Sequence, residues 1–474
     1  NRFEVLECRA AKDAVEAGAL DGAMSKLGSL DVLAQHILGC ACGEPFAADD
    51  LYAEVTRAAP YHALARADFD RALDVVATGG YALRNYERYR RILEGKDGLW
   101  RARDGRVMQQ HRLNVGTIIE AEMLDVRLVR RASERRRGTG RTLSQRAATA
   151  PLTPGRRLGQ IEEYFIETLT PGDTFLFAGQ VLRFEGVAET DVFVTRAVNE
   201  REPKIPSYNG GKFPLSTYLA ARVRKMISEP EAWSGLPAQV AEWLALQREH
   251  SIIPAPDHLL VETFPRGQRH YLVAYPFEGR LAHQTLGMLL TRRLERLRKR
   301  PLGFVASEYA LSVWALDPLG DVDMSRLFDE DMLGDDLDAW LAESALMKRT
   351  FRACAIIAGL IEKRSPGAEK SGRQITFSTD LIYDVLRKHQ PDHVLLQAAF
   401  QDAGEGLLDI RRLGELLRRA RGAITHIDLP RVSPFAVPVM MEIGKESVDG
   451  EARDAILEDA AGDWIAAAGL SPTD

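Results

Sequence analysis

Apolar residues recur every three or four positions in three successive stretches near the start of the chain. Leu30-Asp-Val-Leu-Ala-Gln-His-Ile-Leu carries the spacing, Asp49-Asp-Leu-Tyr-Ala-Glu-Val opens on capping acids, and Ala67-Asp-Phe-Asp-Arg-Ala-Leu-Asp-Val-Val runs until Gly79-Gly80 stops it. Gly98 to Val107 then reads as two short strands joined at Asp104-Gly105, a strong hairpin signal. Three helices followed by a hairpin is the layout of a winged helix, placed here at 29–112 with a connector at 1–28. Its third helix presents Asp68, Asp70 and Asp74 beside Arg71, which would repel phosphates as much as attract them. The hairpin arginines Arg101, Arg103 and Arg106 are the better candidates for contact.

From Val115 the period changes to two. Ile118–Leu128, Glu163–Leu169, Thr174–Phe177, Val181–Phe184 and Asp191–Thr195 read as short strands, with turns at Pro171-Gly172 and Ala178-Gly179. Their spacing predicts a small antiparallel β-barrel over 113–205, interrupted by an arginine-rich insertion at 129–157. Helical spacing returns at Leu215–Ser228 and Ala238–His250, followed by a hairpin, His258–Phe264 with His270–Tyr275, turning at Pro265-Arg-Gly. A basic helix Leu281–Arg300, a strand Phe304–Leu316 and helices Leu337–Lys363, Leu407–Ala420 and Ala452–Ala468 complete a module over 206–474. The predicted fold class is therefore α+β multidomain: a winged helix, a small antiparallel barrel, and a mixed helical and antiparallel-sheet C-terminal domain.

Composition bounds the function. With 474 residues, 45% hydrophobic and 27% charged, the chain has material for several cores, and no stretch approaches the roughly 20 apolar residues of a membrane helix. No membrane partner is expected. The four cysteines, Cys8, Cys40, Cys42 and Cys354, fit a reducing cytosol, so a cytoplasmic location is predicted. The net charge of -6 conceals segregation: Arg127–Arg157 holds ten arginines against Glu134, and Arg280–Arg300 is basic, whereas Asp317–Glu343 is acidic. Local positive stripes leave nucleic-acid binding open.

Chemistry-bearing motifs are sparse. No Gly-x-x-x-x-Gly-Lys-Ser/Thr occurs, and Asp329-Glu-Asp-Met lies in an acidic stretch and reads as a solvated turn. His36 with Cys40-Ala-Cys42 lacks a second ligand pair and reads as helix-end packing. His389 and His393 are separated by Pro391 and read as surface residues. No catalytic or metal residues, and no cofactor bound by this chain, are predicted. Two segments instead suit a strand of nucleic acid. Lys204-Ile-Pro-Ser-Tyr-Asn-Gly-Gly-Lys212 presents Tyr208 between two cations, a base-stacking arrangement. Leu113-Asn-Val-Gly-Thr-Ile118 offers the Thr117 hydroxyl and the Ile118 side chain beside a permissive Gly116, although a core position is the ordinary fate of such an isoleucine.

These segments, with Leu30-Asp-Val-Leu-Ala-Gln-His-Ile, Leu158-Gly-Gln-Ile-Glu-Glu-Tyr-Phe, Leu169-Thr-Pro-Gly-Asp and Ser433-Pro-Phe-Ala-Val-Pro-Val-Met-Met-Glu, resemble the large helicase-related (Lhr) family, in its ligase-associated DExH-box branch. The resemblance implies the C-terminal half of an ATP-dependent 3'-to-5' single-strand DNA translocase and helicase of DNA repair, nucleoid-associated in bacteria. Two RecA-like motor domains, binding ATP and Mg, would precede Asn1. It carries a DNA-contacting isoleucine onto Ile118 and a stacking aromatic, usually Trp, onto Tyr208. Lys204, Lys212, Arg222 and Arg224 would then hold phosphates. Implied partners are single-stranded DNA, tailed DNA or RNA:DNA duplex, the motor domains, and a ligase or nuclease of the same pathway. Two other readings are a DNA-lesion glycosylase, with Asp257 and Glu262 as candidate carboxylates, and a non-catalytic module docking a repair protein through its acidic segments.

Overall fold

The structure is a computed structural model and describes residues 1–19, 27–119, 123–130, 153–167, 169, 171–188, 190–197, 215–343, 346–404 and 408–443. The chain forms two compact units, each built from separated segments: 1–23, 210–343 and 404–474 in one, 24–209 and 344–403 in the other. The architecture is mixed α/β with several sheets.

In the first unit, a sheet runs in the spatial order Pro301–Ala306, Leu311–Ala315, Arg269–Ala274, Leu259–Arg266, Ile424–Asp428. The first four strands pair antiparallel, but Ile424–Asp428 pairs parallel with Leu259–Arg266, so the sheet is mixed rather than antiparallel. The single strand expected at Phe304–Leu316 is a hairpin, broken where Ser307 Oγ accepts from the backbone N–H groups of Tyr309 and Ala310. Strand Leu259–Arg266 runs two residues further than expected, which narrows the Pro265-Arg-Gly turn to Gly267-Gln268, where a φ of 59° suits Gly267. Helices Thr217–Ser228 and Ala238–His250 pack on this sheet with helix Arg2–Glu16. Phe3 sits in an aromatic cluster with Trp243 at 4.8 Å and Phe435 at 5.4 Å, so residues expected to form a connector supply core.

The charge segregation has an internal explanation. The basic helix, Arg280–Arg296, and the basic residues just after it pair with the acidic stretch that follows: Arg293 with Asp336 at 2.7 Å, Lys299 with Asp321 at 2.6 Å, and Arg300 with Asp317 at 2.6 Å. Asp336, buried, also takes Arg296, and Asp331 takes Arg293 again. Opposite runs close in sequence thus neutralise each other within one unit.

The second unit begins with helices Leu30–Gly43, Ala48–Val55 and Arg66–Thr78, as their periodicity requires, and buries Leu33, Ile37, Phe69 and Val76. The hairpin comes earlier than expected, pairing Ile92–Glu94 with Trp100–Ala102 around Gly95–Gly98. Asp104-Gly105 is instead a helix start. The Asp104 carboxylate accepts from Arg106 and Val107 N–H and caps helix Gly105–Asn114. Those bonds hold the Asp104 pKa below the ordinary carboxylate value.

Five strands follow, in spatial order Thr153–Glu162, Met123–Arg130, Asp191–Arg196, Gln180–Ala188, Thr174–Phe177. Met123–Arg130 runs parallel to Asp191–Arg196, so this sheet too is mixed, and among the described residues its order is open between its two outer strands. Both ends of the expected 129–157 insertion belong to strands; residues 131–152 lie outside the described residues. The strand expected at Glu163–Leu169 is a short helix, Glu163–Glu167, in which the adjacent Phe165 and Ile166 are both buried, as strand alternation would not allow. The helix expected over 337–363 is two, Asp335–Glu343 and Leu346–Ile357, assigned to different units. Helices Gly372–His389 and Val394–Asp402 were not anticipated from the pattern. The helix expected at 452–468 lies outside the described residues. Among the described residues no helix is long and apolar enough to cross a membrane.

Candidate nucleic-acid interface

Helix Gly105–Asn114 ends at a loop, and two side-chain amides hold the start of that loop, at Asn114 and at Gly116. Asn114 uses its whole amide: Nδ2 donates to the Gln110 and Arg364 carbonyls, each at 2.8 Å, and Oδ1 accepts from Lys363 N at 2.9 Å and Arg364 N at 2.8 Å. Gln35, 81 residues away on helix Leu30–Gly43, clasps Gly116 on both sides. Its Nε2 donates to Gly116 O at 3.0 Å and to Ile357 O at 2.7 Å, while Oε1 accepts from Gly116 N at 3.3 Å. Two motifs that were separate in the sequence, Leu30–Ile37 and Leu113–Ile118, meet through this pair. Gly116 has φ 143°, where a side chain is strained, and the position is otherwise open.

The clamped loop presents apolar atoms outward. Ile118 is 95% exposed, with Val115 and Leu113 also exposed, and Thr117 is exposed beside it. The core position ordinarily expected of such an isoleucine is therefore not the one Ile118 occupies. A fixed backbone with an exposed, stiff β-branched tip can press against a flat apolar partner without first paying for ordering.

The other candidate residues differ in how free they are. Arg101 pairs with Asp97, and Arg103 binds Asp104 at 3.0 Å and the Glu87 carbonyl at 2.7 Å, both within the second unit with Thr117 and Ile118. Arg222 and Arg224 belong to the first unit. Arg222 lies over the Tyr218 ring at 4.8 Å and donates to its hydroxyl. Arg224 is committed to the buried Glu278 at 3.2 Å, which Arg412 and Arg419 also approach; burial and the neighbouring Arg419 pull its pKa below the ordinary arginine value. Lys204, Tyr208 and Lys212 lie outside the described residues. Sequence reasoning missed Gln35 and Asn114. An amide immediately before a glycine-containing loop was the available signal, but only the fold brings Gln35 to it.

Several alternatives have specific local explanations. Glu262 is fully buried and accepts from Gln247 Nε2 at 2.8 Å, the Tyr275 hydroxyl at 2.6 Å and the Ser433 hydroxyl, so both oxygens are occupied by the protein's own donors. Asp257 is exposed. The Ser433–Glu442 motif serves this same core, since Phe435 N donates to Gln247 and Trp243 Nε1 to the Pro434 carbonyl. Cys40 Sγ lies 3.6 Å from His36 Nε2 on one helix face. Contrary to the surface reading, His393 is buried; its Nδ1 accepts from Leu395 N and caps helix Val394–Asp402.

Comparison with known proteins fits this arrangement. The family described as "Large helicase-related protein, winged helix domain" matches residues 13–203, and that described as "DEAD/H associated" matches 253–436. The chain belongs to the large helicase-related family. Among curated Lhr relatives, the ATP-dependent helicase Lhr-Core of Methanocaldococcus jannaschii is 24% identical over 434 residues, covering 88% of this chain and 48% of the relative. ATP-dependent helicase Lhr-Core protein 2 of Thermococcus barophilus is 26% identical over 432 residues, covering 87% and 47%. The Lhr helicase/uracil glycosylase of Escherichia coli is 23% identical over 469 residues, covering 93% and 28%. The chain thus spans about half the length of the Lhr-Core relatives it matches. The Lhr fold is shared with the structure of Mycobacterium smegmatis helicase Lhr bound to ssDNA and AMP-PNP, at TM-score 0.62 and 21% identity, covering 92% of this chain and 51% of that one.

Proposed function

We propose that this chain is the DNA-engaging part of an ATP-dependent Lhr-type helicase, and that the Val115–Ile118 loop bears on the single strand as it is moved. The observation that carries the reading is the 95% exposure of Ile118 on a backbone fixed by Gln35 and Asn114. Exposing a β-branched residue on a rigid loop gains nothing for folding, and family membership supplies the partner. In this reading ATP and Mg are bound by RecA-like motor domains, not by these residues. Translocation is 3'-to-5', the setting is DNA repair in the cytoplasm of a bacterium, and the ligase-associated branch is the narrower assignment. Tyr208, between Lys204 and Lys212, is proposed as a second base contact, and the mixed sheet of the second unit as part of a small barrel that supports the strand.

The test uses the motor-containing protein. Ile118→Ala should cut unwinding of a tailed duplex by roughly ten-fold, in keeping with about 1–2 kcal/mol of lost apolar contact, while DNA-stimulated ATP hydrolysis changes little. Tyr208→Ala should behave likewise. Unwinding equal to wild type in Ile118→Ala would remove the loop from the mechanism. The glycosylase alternative has no support at Glu262, whose carboxylate is internally saturated.

A further inference from the structure

A second surface on the 24–209, 344–403 unit has the chemistry of a strand-binding platform, in a segment where no strand contact was anticipated. Between helix Arg66–Thr78 and the hairpin, residues 79–91 read Gly-Gly-Tyr-Ala-Leu-Arg-Asn-Tyr-Glu-Arg-Tyr-Arg-Arg. The backbone here is fixed. Gly79 and Gly80 have φ 80° and 85°, and an added Cβ would meet Tyr89 at 2.7 Å or the His393 ring at 2.8 Å. Leu83 and Tyr89 are buried as anchors. The Ala82 N–H donates to Gln390 Oε1 at 3.1 Å, and Arg103 holds the Glu87 carbonyl at 2.7 Å.

What this anchored segment displays is aromatic and cationic. Tyr81 is 62% and Tyr86 57% exposed. Arg84 sits 4.3 Å from the Tyr81 ring centroid and Arg88 5.9 Å from that of Tyr86. Arg84, Arg88 and Arg90 are exposed and make no ion pair among the described residues. Several other arginines of the same unit do: Arg66 with Asp49 and Asp70, Arg71 with Asp68, and Arg91 with Glu362. The lone acid of the displayed set is Glu87.

We infer that Tyr81, Arg84, Tyr86, Arg88 and Arg90 form a second contact for single-stranded nucleic acid, additional to the Ile118 loop. Unpaired guanidinium groups select a polyanion, and exposed tyrosines select flat π-faces. Single strands offer both at once. A duplex stacks its base faces on each other and offers only phosphates and groove edges. Arg84, stacked on Tyr81, is held where it can bridge a base and its phosphate, while Arg88 is anchored beside Tyr86 by the Tyr89 ring at 4.6 Å and its hydroxyl at 2.6 Å. This inference rests on the DNA-engaging reading above, but on different residues.

The test compares wild type with Tyr81→Ala/Tyr86→Ala, Arg84→Gln/Arg88→Gln/Arg90→Gln and Ile118→Ala, all in the full chain, with thermal melts to check folding. Binding of a roughly 30-nucleotide single strand and of a blunt duplex is followed by fluorescence anisotropy across a salt series. The tyrosine pair should weaken single-strand binding by roughly ten-fold or more and leave duplex binding within about two-fold. The arginine triple should flatten the single-strand plot of log K against log salt by about two units, three phosphates at about 0.7 each. Wild-type single-strand binding in both platform variants overturns the inference. So does an equal loss on duplex in the tyrosine pair, which would mean the surface reads backbone alone. If Ile118→Ala is impaired while the platform variants are not, the functional reading survives and this inference fails; the converse removes the Ile118 contact and keeps the platform.

Discussion

His283 and His393 are each held as one neutral tautomer, and the reason is the pairing of a donor with an acceptor at the two ring nitrogens. In His283, Nδ1 donates to the Ser307 carbonyl at 2.7 Å and Nε2 accepts from Glu278 N–H at 3.0 Å. In His393, Nε2 donates to the Gly79 carbonyl at 3.2 Å and Nδ1 accepts from Leu395 N–H at 3.2 Å. A second proton would face an N–H in both cases. Burial lowers the pKa values to about 3 and about 4, with Arg412 and Arg280 opposing protonation of His283 and Arg71 that of His393. The unfolded chain binds these protons near pH 6.5 while the folded chain does not, so stability is full above that pH and falls as pH drops toward 4. A loss on the order of 3 kcal/mol for His393 is expected by pH 4. Chemical denaturation of wild type and His393→Gln between pH 7 and 4 should show a shallower decline in the variant; parallel curves would refute the linkage. The surface reading of His393 failed because Pro391 signalled a break in the helix, not that the next helix would start on a buried imidazole.

At the scale of elements, the decisive junction is the one between helix Leu30–Gly43 and the loop that follows Asn114. Gln35→Ala removes three hydrogen bonds and leaves the Gly116 and Ile357 backbone groups with fewer partners, so a cost of about 1–3 kcal/mol is expected. Its signature is local: amide hydrogen exchange should accelerate at Gly116 and Ile118, while the Gln180–Ala188 strand keeps its protection. Unchanged exchange at Gly116 would show that the clasp does not set the loop's rigidity. The elements themselves were legible where one face alone is buried, as in Ala238–His250 with its Val240, Trp243, Leu244 series. They were misread where a local signal has two meanings. Asp104-Gly105 is both a turn dipeptide and a helix cap, and the apolar pair Phe165-Ile166 suits a strand by residue type although both side chains are buried side by side on a short helix. The site was legible as a motif, Leu113–Ile118, but its partner Gln35 was not, because nothing along the chain measures a separation of 81 residues.

At the scale of the whole molecule, discontinuity in sequence accompanies two compact units. The helix Arg2–Glu16 and the segment around Phe435 reach the same aromatic cluster from opposite ends of the described chain. Phe3→Ala should therefore cost about 3–5 kcal/mol through lost burial and the cavity left behind. Because Phe3 packs within the 1–23, 210–343, 404–474 unit, the loss should appear in tryptophan emission reporting Trp233 and Trp243. Melting of the helices carrying Phe69 and Phe351 should be less affected; equal destabilisation everywhere would mean the units unfold as one.

The near-complete exposure of Ile118 has a consequence for variation. A tip left almost wholly exposed among the described residues carries little folding constraint from them, whereas Gln35, Asn114 and Gly116 are bound by geometry. The grip on a partner can therefore be retuned by changing one side chain, larger, smaller or charged, while the fold stays indifferent. Evolution and protein engineering alike can treat that position as an adjustable dial set on a fixed mount.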